Sequence, residues 1–428
     1  MKSLLRLYEV VTTCIAPFVG LLFLLHPRGR SRWLERFGVW RLPKGKYVWI
    51  HGASAGELNG LLRLVPWIRK QYPDCKVLIT SFSIAGVSLA KAIGDEVRLI
   101  PYDSPVYRRI ALGSSHIRLF LFGETEIWPS LIASLQEASV PCCLVNGRIE
   151  EKSYALYSRF GPFFRPILEW LSVAIVTSQE SQHRIEALGV PKERTFLTGN
   201  TKYDCLPKVT ELESRSLRRL LLGEEGRRVV TLGSAHPGEE EWWIEALRQV
   251  KDDVKPLLII APRHLEKLQL FRSALDRSAL SYSLLSEIPE GTRVSSQVLI
   301  VDSFGVLEQY YALADLAFIG GTLVPVGGHN PFEPAPYRVP ICLGPHTHRI
   351  QTEVALLRES EAVLPIREKQ EVIELLHKLQ KHDAVLQSRA ERLFQLWQGF
   401  RGATEEVEQI LHRALFPFEE MANSRSAL

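Results

Sequence analysis

From residue 45 onward the chain alternates short apolar runs with segments of helical period. The first set of runs covers 47–50, 77–80, 97–100, 119–122, 142–145, 173–177 and 195–198. Each is apolar on both faces, and helix-length segments separate them. This predicts parallel strands covered by helices on two sides. Residues 206–226 are charged and helical, without a strand. A second set of runs follows at 229–232, 257–260, 298–301, 316–319 and 341–343. The alternation predicts an α/β chain of two Rossmann-like domains facing a cleft and joined near residue 210. Their spans are 41–210 and 211–415, with a tail at 416–428; the helical stretch 369–415 closes the second domain or crosses back to the first.

A different pattern precedes the first strand. Residues 10–25 hold ten Val, Ile, Leu or Phe and no charge, and they run into His26-Pro27-Arg28-Gly29-Arg30-Ser31-Arg32. Sixteen helical residues reach about 24 Å, short of the roughly 30 Å hydrocarbon core of a bilayer. Pro17, Arg6 and Glu9 weaken insertion further. The segment reads as a short span or an interfacial anchor, with a buried helix or a cleaved signal peptide as the plainer alternatives. For a spanning anchor, the arginines that follow hold the rest of the chain on the cytoplasmic side. Residues 1–40 are set apart as a membrane anchor with a basic flank.

In such folds ligands bind beyond the carboxyl ends of the strands, and the unusual residues gather there. His51-Gly-Ala-Ser-Ala-Gly-Glu57 follows the first strand. Glu57, opening a helix, is either a general base whose ionised form the helix dipole favours or a capping residue. Glu124 and Glu126 are a catalytic carboxylate with its partner, a metal pair, or half of a salt bridge. The chain has no DxD motif, so a monophosphate leaving group held by Arg, Lys and helix N-termini suits it better than a metal-bound diphosphate. Arg263 leaves a buried strand and suits bidentate pairing with phosphate. Lys202 suits charge developing in a transition state. Domain-interface ion pairs are the plainer reading of both. The run Gly327-Gly-His-Asn-Pro-Phe-Glu333 ends in a carboxylate placed to accept both hydroxyls of a ribose, or else it is a structural turn. His51, His236, His264 and His329 lack the mutual spacing of metal ligands and read as hydrogen-bonding residues. Gly52-Ala53-Ser54-Ala55-Gly56 matches the GxSxG elbow of serine hydrolases, a short pattern that tight packing also explains.

Composition narrows the classes. Apolar residues make up 46% of the 428 and charged residues 23%, with 18 Phe and 9 Trp, which requires a folded core. Six scattered cysteines without a CxxC pair exclude the usual zinc and redox motifs. The 52 Lys and Arg exceed the 48 Asp and Glu by only +4, and six cations against two acids in the first 40 residues supply all of it. That balance argues against a nucleic-acid partner. The excess reads as a membrane address.

Taken in order, the motifs resemble one family. They are Arg32-Trp-Leu-Glu-Arg-Phe-Gly38, the 51–57 run, Pro101-Tyr-Asp103, Glu124-Thr-Glu-Ile-Trp-Pro129, Asn146-Gly-Arg148, Gly199-Asn-Thr-Lys-Tyr-Asp204, His236-Pro-Gly-Glu-Glu240, Pro262-Arg-His264 and the 327–333 run. Together they resemble the 3-deoxy-D-manno-octulosonic acid (Kdo) transferases of lipopolysaccharide assembly over residues 4–350. The resemblance implies a GT-B fold and an N-terminal anchor at the cytoplasmic face of the inner membrane. It implies inverting transfer of Kdo from CMP-Kdo to the 6′-hydroxyl of a lipid A precursor, with further Kdo additions in some members. The domain 41–210 would then bind the acceptor and 211–415 the CMP-sugar. Glu57 matches the proton acceptor, and Glu124 and Lys202 match transition-state stabilisers. Pro262 and Arg263, then Phe304, Gly305 and Val306, then Asn330, Pro331, Phe332 and Glu333 match the CMP contacts. Val306 stands where the family pattern has Glu. No metal and no cofactor is implied, so transfer is expected to persist in excess EDTA. The alternative is another GT-B nucleotide-sugar enzyme, a UDP-sugar epimerase or a glycolipid glycosyltransferase.

Overall fold

The structure is a computed structural model and describes residues 2–25, 32–204, 207, 209–223, 227–250, 255–289, 291–303, 305–381 and 383–417. The chain divides into two compact units, Met1–Asp204 with Phe400–Leu428, and Cys205–Gly399.

In the first unit the strands are β1 (Lys46–Gly52), β2 (Lys76–Ser81), β3 (Glu96–Leu99), β4 (His116–Gly123), β5 (Cys142–Gly147), β6 (Val173–Val176) and β7 (Thr195–Leu197). All pair in parallel in the order β3-β2-β1-β4-β5-β6-β7. Strand period places alternate residues on opposite faces, and both faces are apolar. Val48, Ile50, Leu119, Leu121, Cys143 and Val145 join one core. Tyr47, Trp49, Phe120, Phe122, Cys142 and Leu144 join the other.

The second unit repeats the plan with β8 (Val229–Ala235), β9 (Leu257–Pro262), β10 (Tyr282–Leu284), β11 (Val298–Ile300), β12 (Leu316–Ile319), β13 (Ile341–Leu343) and β14 (Val363–Pro365). Their order is β10-β11-β9-β8-β12-β13-β14, again all parallel. All twelve predicted strands are present. The two additional strands, β10 and β14, are the three-residue edges of this sheet, too short to stand out as apolar runs.

One boundary differs from expectation. The helix Ala403–Leu415 belongs to the first unit, not to the end of a second domain running to residue 415. Val407, Ile410 and Leu411 bury themselves in the core beneath β1 and β4. The carboxylate of Asp204 accepts hydrogen bonds from Gly402 N (3.1 Å) and Thr404 N (2.8 Å), tying the start of this helix to the end of the first sheet's last loop. Of the expected tail, Phe416 packs on Tyr72 at 5.7 Å between ring centroids, and 418–428 lie outside the described residues.

The N-terminal segment is a helix, α1 (Lys2–Leu25), longer than its apolar stretch and continuous through Pro17. Its apolar residues are mostly exposed: Leu7 is 60% exposed and Phe18 72%. A buried core helix is therefore excluded. The basic residues Arg28 and Arg30 lie outside the described residues.

Candidate active site

In a doubly wound sheet the loops diverge at the switch in strand order, and ligands bind there. The first unit switches between β1 and β4, and its predicted site residues converge on that point. After β1 the chain turns into the helix α2 (Ala55–Leu61). Ser54 is its N-cap, with Oγ accepting from Glu57 N at 3.3 Å. Glu57 reaches back, and its Oε2 accepts from Ala53 N at 2.9 Å. The pairing resembles a capping box moved back by one residue, since the carboxylate takes the N–H before the N-cap and not the N-cap's own. Ser54 therefore serves as the cap that presents Glu57.

The Glu57 carboxyl is half-buried, and its pKa rises from the ordinary 4.5 to about 7. Burial is the main cause, the negative charges of Glu124 and Glu126 add to it, and the hydrogen bonds from Ala53 and Ser54 oppose it. Glu124 directly follows β4 in a left-handed conformation, φ 49°. A non-glycine residue adopts that conformation only when its surroundings enforce it.

Glu126 sits at the end of a hydrogen-bonded network that runs through the first sheet. Trp49 Nε1 donates to Thr80 Oγ1 at 2.7 Å. His51 Nδ1 lies 2.9 Å from Thr80 Oγ1 and 3.1 Å from the Thr80 carbonyl oxygen, and its Nε2 lies 3.3 Å from Glu126 Oε2. Trp128 Nε1 donates to the same oxygen at 3.0 Å. His51 and Thr80 are fully buried. The sequence left Glu124 and Glu126 as a catalytic carboxylate with its partner, a metal pair or half of a salt bridge, and for Glu126 the salt bridge would be to an Arg. Its partners are instead His51 and Trp128, the first 75 positions away along the chain.

Lys202 arrives from the loop after β7. Asn146 Nδ2 donates to Thr201 Oγ1 at 2.8 Å, and Asn146 Oδ1 accepts from Thr201 N at 3.0 Å. This fastens the turn Thr201–Tyr203 against α2. Gly60 makes the approach feasible, since a Cβ there would lie 2.8 Å from both Asn146 Nδ2 and Thr201 Oγ1. The Lys202 ammonium sits 4.7 Å from the Tyr203 ring centroid, within cation–π range.

The second unit switches between β8 and β12, and a buried carboxylate organises its loops. Glu239 is fully buried and accepts four backbone N–H groups, from His236 (2.8 Å), Gly321 (2.9 Å), Thr322 (2.9 Å) and Leu323 (2.9 Å). One side chain thereby joins the loops after β8 and β12. Above it, His236 and His329 lie parallel, 6° between planes, with their Nε2 atoms 2.9 Å apart. One ring donates and the other accepts. His264 meets His236 edge-on at 5.6 Å. Burial, first, and then the neighbouring cationic groups, including Arg263 and Arg349, depress the pKa of His236 to about 4 and of His329 to about 3. Both rings are neutral at pH 7.

The expected nucleotide residues of this unit follow three strands, β9, β11 and β12. Pro262 ends β9, and Arg263 follows it exposed, its N–H bonded to Ala235 O at 2.9 Å beside the β8 loop. Asn330 Oδ1 accepts from Phe332 N at 3.1 Å, the turn expected of Asn-Pro. Pro331 and Phe332 are buried, and Glu333 is half-buried. Gly305 takes φ 84° and Val306 precedes the helix Leu307–Leu313 as its N-cap, packed against the core below. Phe304 lies outside the described residues.

The family model for 3-deoxy-D-manno-octulosonic-acid transferase (kdotransferase) matches residues 31–205. The 3-deoxy-D-manno-octulosonic acid transferase of Chlamydia muridarum is 30% identical over 404 residues, which cover 90% of this chain and 92% of that protein. The chain belongs to the Kdo transferase family. The transferase of Haemophilus influenzae is likewise 30% identical, over 87% of this chain and 88% of its own. Among solved structures, MurG of Acinetobacter baumannii matches with a TM-score of 0.52 at 12% identity, over 87% of this chain and 100% of that one. This likeness shows the fold, GT-B. As a Kdo transferase the chain is a glycosyltransferase of lipopolysaccharide synthesis. Within this family frame, Glu239, Thr80 and Arg349 had received no role from sequence reasoning, while His51 is the hydrogen-bonding residue expected of it. Only for Glu239 was there a signal, in the paired acids of His236-Pro-Gly-Glu-Glu240.

Proposed function

We propose that this Kdo transferase moves Kdo from CMP-Kdo to the 6′-hydroxyl of a lipid A precursor, with inversion, at the cytoplasmic face of the inner membrane. The observation that carries the reading is Glu57, a half-buried carboxyl with a pKa of about 7 at the start of α2. A base titrating near the working pH removes a hydroxyl proton most effectively. Ala53 N engages one carboxylate oxygen, Oε2. The other takes the acceptor proton as the hydroxyl oxygen bonds to the anomeric carbon. The bond from that carbon to the donor phosphate breaks, and its electron pair leaves with CMP.

The second unit holds the donor in this reading. Arg263 meets the phosphate, and the loop Asn330–Glu333 meets the nucleoside. The neutral His236 and His329 offer hydrogen bonds there. Lys202 and Glu124 offset charge as the transition state forms. Val306 has no carboxylate to offer where the family pattern has one, so the nucleotide meets backbone at that turn.

Glu57→Gln keeps the shape of the side chain and removes its basicity. Transfer from radiolabelled CMP-Kdo should fall by about two to four orders of magnitude while CMP binding stays unchanged. Full turnover in this variant would move the base elsewhere. Transfer from UDP-sugars in place of CMP-Kdo would replace the donor assignment.

A further inference from the structure

The polar and apolar faces of α1 have separate uses. Its inward face is fastened to the first unit around one buried carboxylate, Asp103. Tyr8 Oη donates to Asp103 Oδ2 at 3.0 Å, and Thr12 Oγ1 donates to the Asp103 carbonyl at 2.9 Å. Thr13 Oγ1 and Ser104 Oγ share a hydrogen bond of 2.7 Å, and Ser130 Oγ donates to Glu9 at 2.7 Å. Asp103 is held in place by Ser130 N and Leu131 N, both at 2.9 Å. On the same face Ala16 is buried, and a Cβ on Gly20 would run into the Phe37 ring at 2.5 Å.

The opposite face is an apolar stripe with helical spacing. Leu4, Leu7, Val11, Ile15 and Phe18 are 46%, 60%, 43%, 50% and 72% exposed. Val106 and Ile110, one turn apart on the adjoining helix Pro105–Leu112, are 48% and 46% exposed. Arg6 and Arg109 are exposed beside these apolar residues in the chain, and Arg28, Arg30 and Arg32 follow α1 in sequence. One apolar face with basic surroundings is the pattern of a helix lying on an anionic lipid surface, whereas a spanning helix is apolar all round.

We infer that α1 lies along the membrane surface, not across it, with Leu4, Leu7, Val11, Ile15 and Phe18 immersed and Asp103 as the fastening. The inference rests on the membrane location proposed above and fixes its geometry. A spanning orientation would detach Tyr8, Thr12 and Thr13 from Asp103 and Ser104 and draw Arg6 and Glu9 into hydrocarbon. Asp103, in the loop after β3, and Ser130, in the first turn of the helix Pro129–Glu137 after β4, lie at the carboxyl edge of the sheet, the edge that carries Glu57. A flat α1 therefore brings this edge, and with it the base, to the surface where a lipid-linked hydroxyl is found.

The test places single spin labels on the full-length chain at L7C, V11C and F18C. Vesicles of phosphatidylethanolamine and phosphatidylglycerol supply the surface, and immersion is read from relaxation by oxygen against a water-soluble nickel chelate. A flat helix gives the three sites the same shallow depth. Depths that differ by about 16 Å between residues 7 and 18, the axial rise over 11 helical residues, would overturn the orientation while keeping the membrane reading. As a second measurement, the double substitution L7E/F18E should lower vesicle binding at least tenfold while leaving transfer to a detergent-dispersed acceptor unchanged. Undiminished vesicle binding by that variant would overturn the immersed face. Absence of vesicle binding by the parent chain would overturn the membrane reading itself. Labels shielded without vesicles, in a species of doubled mass, would assign the stripe to a second copy of the chain.

Discussion

Both units are parallel sheets of seven strands wound in different orders, yet each reverses direction at one switch point, and the two switch points are lined by groups of opposite charge. At the β1/β4 switch three carboxylates, Glu57, Glu124 and Glu126, interact closely enough to raise the proton affinity of the first. At the β8/β12 switch two imidazoles stack among Arg263, His264, Lys267 and Arg349, and their proton affinity falls. In both places burial is the largest cause, and like charge adds to it. Each unit thereby drives its central group toward the neutral form, from opposite directions. Sheet order selects the place, and the side chains at the strand ends select its character: clustered carboxylates in one unit and imidazoles among cations in the other.

The sharpest break of this contrast is Glu239→Ala. It leaves four N–H groups without their buried acceptor and unties the loops after β8 and β12. Removing a buried acceptor costs about 1 to 3 kcal/mol, more for a charged one, and several donors are stranded here. We expect the second unit to lose about 3 kcal/mol or more in urea denaturation, together with CMP binding. Unchanged stability would mean that water satisfies the freed amides.

Arg263→Ala should act on the second unit's anion site alone. A hydrogen bond to a charged group contributes about 1.5 to 3 kcal/mol, so CMP affinity measured by calorimetry should drop by that amount. Folding should be unaffected, since Arg263 is exposed. An unaltered CMP affinity would remove Arg263 from the donor site.

Much of this arrangement is legible in the sequence. The strands of the first sheet announce themselves because both faces are buried, so that every residue of a run such as Val48-Trp49-Ile50 is apolar. β10 and β14 are silent because an edge strand of three residues needs little apolar surface. The helix Ala403–Leu415 shows its apolar face at Val407, Ile410 and Leu411 without showing which sheet receives it, and the deciding bonds come from Asp204, some two hundred positions earlier. Glu57 is readable as a residue at a helix start because its cap, Ser54, is local. The hold of His51 on Glu126 and of Glu239 on Gly321, Thr322 and Leu323 depends on loops brought together only by the sheet order. Likewise, hydropathy gives α1 an apolar stretch, but only the docking of Tyr8, Thr12 and Thr13 tells which face is left outward.

A smaller effect separates the two causes of the Glu57 shift. Glu124→Gln removes a negative neighbour, which favours the ionised form of Glu57 and moves the acid limb of the rate profile to lower pH. Burial, the larger cause, persists, so the limb should settle between the ordinary 4.5 and the present value of about 7. The rate also falls if Glu124 offsets charge in the transition state, and the position of the limb distinguishes the two roles. An unmoved limb would mean that Glu124 contributes nothing to the proton affinity of the base.

The smallest effect concerns stability, where the two units should oppose each other. Glu57 has a raised pKa in the fold, so the folded state holds its proton more tightly than the unfolded chain between about pH 4.5 and 7. Its contribution to stability therefore declines as pH rises through that window. His329 is depressed from 6.5 to about 3, so the unfolded chain binds the proton more tightly there, and stability declines as pH falls below 6.5. Between pH 4.5 and 6.5 the two trends have opposite sign. Urea midpoints measured across that interval should rise more steeply with pH in Glu57→Gln than in the parent, and less steeply in His329→Gln. Parallel curves for all three proteins would show that neither group changes its proton affinity on folding, and the electrostatic contrast between the two switch points would then reduce to composition alone.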